Sequence, residues 1–442
     1  MQKTVPIPKF VIDLSQPPEL RYAHIVEEFQ SRLDDCDLTG LFHDLLRCLV
    51  GRKRGKCLGA VARVAFRRVC REEETAELAG IAKMSGVPMH ILVAYNVLLD
   101  LLLGCTSGGV RMFDRDETWP AQDASTRMLH FRTLDWGMEQ LRQIIVELDF
   151  VRFPGGPVVA TSVTYLGYVG VLTGVRRGLS MSLNFRPHHS KDSWRQRAAF
   201  RWQQAMVVLG KRQSVCSVLR DCLLNPAHVE KQTTRDEKYV EEVKNDYVQA
   251  MLSNHSASRS TAAYLIFCTP ERVYIVEKDH HSASVRESDT FLTAYNHDAS
   301  DEVERESSPE ATGNESGDAN SDIVYSDVAY SDAADTDDTT SVNFIGLDEI
   351  IGLSLDRKDC LDSLWKARVQ ECQLRNQRQD QVVALNDVKL FLEGDYITNE
   401  ETHYAVIMDP ASGKVVWRTA YEVPEDSDGD EDDEDGESQV SM

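Results

Sequence analysis

The stretch Leu103-Gly104-Cys105-Thr106-Ser107 divides this 442-residue chain into two regions of different pattern. On its N-terminal side apolar residues recur at helical spacing: Leu20, Ile25, Val26, Phe29 and Leu33, then Leu41, Leu45, Leu46 and Leu49. On its C-terminal side come apolar runs of strand length, at 128–135, 143–153, 157–166 and 170–184. Helical patterns near 193–223 and 235–252 follow, then strands at 262–268, 272–277 and 289–295. Helices near 358–378 and 382–392 and a hairpin of 402–409 with 414–421 end the ordered pattern. One leading strand, 9–14, precedes the helices and closes at Pro17-Pro18. Helices first and mixed strands and helices afterwards predict an α+β chain. The basic segment from Gly51 to Lys56 reads as a solvated turn between helices, because its glycine spacing is wrong for a phosphate loop and no strand precedes it.

Composition bounds the function. The formal charge is −24, from 72 acidic against 48 basic side chains. Residues 298–341 hold fourteen acids and one base, Arg305, and residues 424–437 hold ten acids and no base. Those two segments account for nearly all of the net charge and are too poor in apolar residues to build a core, so 299–341 and 424–442 are expected to be disordered. A basic nucleic-acid binder is excluded as the default reading. The most apolar run, Ile91 to Leu103, carries Asn96 and Asp100 and is too short to span a bilayer. Met1 leads into a strand-like run with no continuous apolar core, so no signal peptide is expected and the localisation reads as cytoplasmic. The ten cysteines form no CxxC pair and read as free thiols of a reducing compartment.

Cys105 stands apart from the other nine. If its thiol attacked the Gly104 carbonyl, hydrolysis of the resulting thioester would cut the chain. Glycine suits the position before the cut because it tolerates a strained backbone. The new α-amine has a reference pKa of roughly 7.7–8.0 and the thiol about 8.5, so one residue supplies both base and nucleophile near neutrality. The plainer reading is a buried structural cysteine.

The surrounding blocks favour the first reading. Phe131-Arg132-Thr133-Leu134-Asp135-Trp136-Gly137, Val146-Glu147-Leu148-Asp149-Phe150 and Tyr165-Leu166-Gly167-Tyr168-Val169-Gly170-Val171-Leu172-Thr173-Gly174 follow Cys105-Thr106-Ser107. In that order they resemble the acid ceramidases and N-acylethanolamine acid amidases, a branch of the cholylglycine-hydrolase-like N-terminal nucleophile hydrolases. The resemblance implies an αββα sandwich of residues 105–423 with residues 1–104 as a helical N-terminal (alpha) subunit packed on it. It implies cleavage between Gly104 and Cys105 and hydrolysis of an N-acyl lipid, ceramide or an N-acylethanolamine, with no cofactor or metal. The two products would stay together as a noncovalent heterodimer with at most peripheral membrane contact, and the acidic segments would repel anionic membranes.

Carried over residue by residue, the resemblance makes Cys105 the nucleophile and Arg132 the cation that favours its thiolate. Asp135 would orient the α-amine, Asn296 would donate to the oxyanion, and Arg357 is the candidate for a late arginine. On a regular strand Arg132 and Asp135 point to opposite faces and converge only if it ends or bulges near Leu134; a structural ion pair is the bland alternative. Asn296 could merely end a strand, and Arg357 merely start a helix. Tyr165, Tyr168 and Leu172 are candidates for an acyl pocket or plain core. Asn184-Phe185-Arg186 has phenylalanine where the family has glutamate, and the gap between Cys105 and Arg132 predicts an enlarged hairpin at 108–127. Cys360 matches a family disulfide cysteine whose N-terminal partner is missing here, and the family's secretory members make a lysosome-like compartment the alternative localisation. The alternative functions are an acylase or acyltransferase acting on a β-lactam or conjugated amide, and a processed inactive scaffold acting through its acidic segments.

Overall fold

The computed structural model describes residues 3–98, 104–113, 125–187, 194–224, 260–280, 282–307, 347–376, 381–394 and 397–422. Strands β1 (Thr4–Val5) and β2 (Lys9–Asp13) open the chain. Six helices follow: α1 (Ala23–Glu28), α2 (Gln30–Cys36), α3 (Leu38–Val50), α4 (Arg52–Ala65), α5 (Glu72–Ser85) and α6 (Met89–Leu98). Next come β3 (Gly104–Phe113), β4 (Thr126–Asp135), β5 (Ile145–Val151), β6 (Val158–Tyr165), β7 (Thr173–Arg176) and β8 (Leu179–Phe185). Helices α7 (Trp194–Val208) and α8 (Val215–Leu224) separate these from β9 (Ala263–Cys268), β10 (Val273–Lys278), β11 (Ala283–Ser288) and β12 (Phe291–Ala294). Helices α9 (Ala299–Ser307), α10 (Leu347–Asn376) and α11 (Leu385–Leu392) and the hairpin β13 (Thr402–Asp409) and β14 (Lys414–Tyr421) complete it.

The strands form two sheets, one of six in the order β1-β14-β13-β4-β3-β12 and one of eight in the order β11-β10-β9-β8-β7-β6-β5-β2. Strands β3 and β4 face β8 and β9 across the interior. The outer face of the six-stranded sheet buries Val110, Leu129, Phe131 and Ile407 against Leu361 and Val369 of α10 and Phe391 of α11. Helix α8 covers the eight-stranded sheet at β6, β7 and β8. The architecture is the expected αββα sandwich, with one revision. It is not built from residues 105–423 alone, because β1 pairs with β14 and β2 pairs in parallel with β5. The N-terminal piece therefore supplies an edge strand to each sheet, two leading strands rather than one.

Several local expectations change. Arg52–Ala65 is a helix, so the basic segment is its first turn and not a solvated turn; Gly55, Gly59 and Ala62 let that helix approach α3 closely. The run 170–184 breaks at the β7–β8 turn, where Gly178 takes a φ of +88°. The expected disordered insert starts later than 299, since Ala299–Ser307 is helical and its Glu302 meets His297, Arg286 and Lys358. The tail 424–442, most of that insert, the helix expected at 235–252 and the hairpin tip 114–124 lie outside the described residues. Among the described residues nine cysteines are free, Cys360 among them. Among the described residues no helix is long and apolar enough to cross a membrane.

Two polar contacts dock the N-terminal helices on the sandwich. Asn96 of α6 donates to the Gly167 carbonyl at 2.7 Å and accepts from the Val169 N–H at 2.8 Å, gripping the β6–β7 loop. In that loop Gly167 has a φ of +88°, and a Cβ on Gly170 would come within 2.7 Å of the Cys216 sulfur, so both glycines of the loop are required by conformation or contact. At the second contact Glu77 of α5, buried, accepts from Arg21 at 2.8 Å and from both terminal nitrogens of Arg220 at 2.6 and 2.7 Å. Beside it, burial pushes the Glu74 carboxyl up to about 7, against a hydrogen bond from Ser217 and the charge of Arg220.

Glu77→Ala leaves two buried guanidiniums short of a carboxylate and is expected to cost about 3–5 kcal/mol in urea unfolding. Glu74 binds its proton more tightly folded than unfolded, so it subtracts stability as pH rises from 4.5 through about 7. Glu74→Gln should therefore gain on the wild type between pH 5 and pH 8, by at most about 3 kcal/mol, in melts run at both values.

Candidate active site

Strand β3 pairs with β4 along its whole length, with Gly104 opposite Asp135, Cys105 opposite Leu134 and Ser107 opposite Arg132. Side chains alternate along a strand, so Cys105, Ser107 and Arg132 share the face turned to the second sheet, and Gly104 and Asp135 share the other. The strand is regular at Leu134, and the register shift lies on the facing strand β13, between Thr402 and Tyr404. Arg132 and Asp135 thus stay on opposite faces and reach Cys105 from two sides. On the inner side Arg132 Nη2 donates to Cys105 Sγ at 3.1 Å and Nη1 donates to the Leu172 carbonyl. On the outer side Asp135 accepts from Arg357 Nη1 at 2.6 Å and from Thr402 Oγ1 at 2.8 Å.

Asn296 links the outer group to the cysteine backbone. Strand β12 ends at Ala294, opposite Ser107, so Cys105 lies past the last strand pair on that edge. The Asn296 side chain fills the gap: its Oδ1 accepts the Cys105 N–H at 2.9 Å and Arg357 Nη2 at 3.0 Å. Its Nδ2 donates to the Phe185 carbonyl at 2.9 Å. The expected oxyanion donor is thus engaged in the uncut chain, with its oxygen and not its amide hydrogens toward Cys105. Arg357 starts no helix. It lies well inside α10, one turn after Ser354, whose hydroxyl accepts the Asn296 N–H at 2.7 Å. Residues three apart share a helix face, so α10 delivers both groups to the same point.

The group is buried throughout: Cys105, Arg132 and Asn296 have no exposed surface, and Asp135 and Arg357 almost none. Burial pushes the Cys105 thiol up, and Arg132 pulls it back. Burial likewise raises the Asp135 carboxyl, and the Arg357 charge and the Thr402 hydrogen bond oppose it. Counting formal charges, two guanidiniums face one carboxylate, so a thiolate at Cys105 would balance the cluster. Further along the same face Ser107, His130, Ser180 and Ser182 form a closed polar group, with Ser107 and Ser182 hydroxyls 2.6 Å apart and His130 within 3.0 Å of each serine. Burial holds His130 down to about 3, leaving a neutral ring.

The three acyl-pocket candidates are buried near the cluster without facing open space. Tyr165 OH meets His403 Nδ1 at 2.7 Å, Tyr168 packs edge-on against Tyr95, and Leu172 lends its carbonyl to Arg132. The wholly apolar pocket is elsewhere, lined by Leu38, Phe42 and Leu45 of α3, Tyr95 of α6, and Trp136 and Leu141 after β4. Trp136 is the residue after Asp135, so this pocket adjoins the cluster. Sequence reasoning missed Thr402, Ser354 and Asn184; the Asn184 amide donates to the Ala294 carbonyl at 3.0 Å and lies 3.4 Å from that of Cys105. Only Asn184 carried a signal, as a buried polar residue ending an apolar strand pattern.

A family model described as the beta subunit of N-acylethanolamine-hydrolyzing acid amidase matches residues 5–69, which run from β1 through α4. An N-acylethanolamine-hydrolyzing acid amidase of Caenorhabditis elegans is 30% identical over 188 residues, 40% of this chain and 47% of the relative. The acid ceramidase of Mus musculus is 31% identical over 125 residues, 25% of this chain and 28% of its own length. The chain thus spans less than half the length of these curated relatives. The solved structure of the C. elegans N-acylethanolamine-hydrolyzing acid amidase ortholog aligns at 18% identity with a TM-score of 0.39, over 69% of this chain and 93% of that one. By its sequence matches, the chain is similar over part of its length to N-acylethanolamine-hydrolyzing acid amidases and acid ceramidases.

Proposed function

We propose that the chain is an amidohydrolase that makes its own nucleophile by cutting between Gly104 and Cys105 and then cleaves a long-chain N-acyl amide, ceramide or an N-acylethanolamine. The observation that carries this reading is the separate holding of the two functional ends of Cys105, the sulfur by Arg132 and the backbone nitrogen by Asn296. A merely structural cysteine has no need of a buried guanidinium on its sulfur and a charged relay behind its amide. Gly104 fits the same reading, since a Cβ there would crowd the Asp135 Cβ at 3.3 Å.

In the first reaction the Cys105 sulfur adds to the Gly104 carbonyl, the Gly104–Cys105 amide bond breaks, and the nitrogen takes a proton to become an α-amine. Water then hydrolyses the thioester. In the second, the α-amine accepts the thiol proton, the sulfur attacks the substrate carbonyl, and the amine product leaves with that proton; water, giving a proton to the α-amine, then hydrolyses the acyl thioester, releasing the fatty acid and restoring the Cys105 thiol. Asp135, held by Arg357 and Thr402, keeps the ammonium form within reach, and the Asn296 oxygen accepts from it. Release of the Gly104 side on cutting frees space for Asn296 to turn its amide toward the developing oxyanion, the role assigned to it from the resemblance. The apolar pocket beside Trp136 suits the acyl chain. The pieces 1–104 and 105–442 would remain a noncovalent pair through β1, β2, Asn96 and Glu77. The nine free thiols among the described residues favour a reducing compartment such as the cytoplasm.

Denaturing mass spectrometry of purified protein should give pieces of 104 and 338 residues, and Cys105→Ala should give one intact chain with no amidase activity; a fully active intact wild-type chain refutes the proposal. A panel of ceramide, an N-acylethanolamine and a β-lactam identifies the amide. Arg357→Met removes the charge that opposes the upward push on Asp135. The acid limb of the pH–rate profile is therefore expected to move up, so activity is lost first at low pH.

A further inference from the structure

Asn296 lies outside any strand or helix, since β12 ends at Ala294 and α9 begins at Ala299. Side chains therefore fix this short loop. Asp298 accepts two bonds from Arg186, at 2.7 and 2.6 Å, and one from Tyr264 OH at 2.7 Å. His297, buried, stacks on Tyr295 with ring centroids 5.5 Å apart. Its Nδ1 lies 2.7 Å from Ser354 Oγ of α10, and its Nε2 lies 3.4 Å from a carboxylate oxygen of Glu302 in α9. The same Ser354 oxygen accepts the Asn296 N–H at 2.7 Å. Glu302, His297, Ser354 and Asn296 thus form one chain of polar contacts, ending at the residue whose side chain accepts the Cys105 N–H. The chain has a direction. A carboxylate only accepts, so Nε2 holds the hydrogen of a neutral ring, and Nδ1 accepts from the Ser354 hydroxyl, whose oxygen stays open to the Asn296 N–H. Burial pushes the Glu302 carboxyl up, but the His297 hydrogen bond and the Arg286 and Lys358 charges outweigh it and hold the group below the usual carboxylate range.

We propose that Glu302, His297 and Ser354 are positioning residues that hold Asn296 against Cys105 through this chain of contacts. Plain packing of the loop would be met by apolar side chains, without the cost of burying an imidazole and a hydroxyl. Ser354 and Arg357 stand three apart on one face of α10, and Arg357 Nη2 donates to the Asn296 side-chain oxygen at 3.0 Å. One helix thus grips both the backbone and the side chain of the same asparagine. Helices α9 and α10 stand at the two ends of the acidic run that separates Asn296 from Arg357 in the sequence, and Arg305 with Asp356 at 2.9 Å and Lys358 with Glu302 at 3.7 Å clip them together. Side-chain contacts do here what a short connection would otherwise do. Asn296 has two tasks, accepting the Cys105 N–H before scission and turning its amide toward the oxyanion afterwards. With the backbone held still, only its side chain has to turn. That use of the device rests on the amidohydrolase reading; the placing of the loop does not.

The test compares Ser354→Ala, His297→Phe, His297→Asn and His297→Gln in the full chain. Asparagine puts its amide where the imidazole has Nδ1 and glutamine where it has Nε2, so only asparagine keeps an acceptor for the Ser354 hydroxyl. Ser354→Ala, His297→Phe and His297→Gln are expected to slow both self-cleavage and kcat on an N-acylethanolamine by about tenfold to a hundredfold, with KM unchanged. His297→Asn should restore most of both rates. Hydrogen exchange of residues 291–298, read by mass spectrometry, should quicken in the first three variants and stay near the wild type in His297→Asn. Melting curves check folding, and Ser354→Ala, which removes a single atom, keeps the test open if a histidine variant fails to fold. Equal losses in all three histidine variants mean that the ring only fills space, and overturn the proposal. So do wild-type rates in Ser354→Ala, or a loss confined to KM. If the wild-type chain is neither cut nor active, the catalytic reading falls and exchange alone decides: quicker exchange in Ser354→Ala and His297→Phe sustains the positioning role, and unchanged exchange overturns it too.

Discussion

Arg132 is a cation with no exposed surface whose terminal nitrogens meet a carbonyl oxygen and a sulfur, with no carboxylate on its own side of the sheet. Burying a charge costs several kcal/mol unless partners offset it, and of the acidic groups that act on it, the Cys105 thiol and the phenols of Tyr404 and Tyr165, the thiol is the one the guanidinium hydrogen-bonds and the most acidic by type. Behind the strand the second guanidinium, Arg357, already has its carboxylate in Asp135. The demand for negative charge is thus concentrated at one sulfur. It also fixes the pairing of β3 with β4, because a slip of one residue would turn Arg132 to the outer face and leave it facing α10.

The sequence was most readable where periodicity and block order agreed. The change of pattern at Gly104 marks the start of β3, the strand runs beyond it correspond to β4 through β10, and the alternation rule alone puts Arg132 and Asp135 on opposite faces. Cys105, the second residue of β3, is approached from both faces at once, so no bulge in β4 is needed. Arg357 was hard to assign because α10 begins in a segment that reads as the end of an acidic run, and its position inside the helix depends on Ser354 and Asn296 packing against it. Thr402 and Ser354 gave no signal, since a lone hydroxyl in a strand or helix has countless plain uses. The basic segment at 51–56 looked like a turn because glycine is a poor helix former; close packing on α3 overrides that preference.

The apolar pocket and the cluster are assembled from parts far apart in the chain. Helices α3 and α6 supply one wall, the residues just after Asp135 supply the other, and Asn96 fixes the helices to the β6–β7 loop. The glycines of that loop are explained by a left-handed backbone at one position and a sulfur contact at another, so the block that carries much of the resemblance is a docking surface for α6 before it is anything chemical. Leu172, at its end, then lends a backbone carbonyl to Arg132. Geometry at the cysteine therefore depends on how the first hundred residues are seated.

Because β1 and β2 enter different sheets, breaking the link before Cys105 would turn one folding problem into two. An uncut chain that melts recovers by a first-order process whatever its dilution. A severed one must bring two molecules together and insert a strand at the edge of each sheet, so its recovery slows as it is diluted and competes with aggregation of the exposed edges. A protein cut there would be built to be folded once, and its lifetime after scission would be set by how slowly those two strands come out.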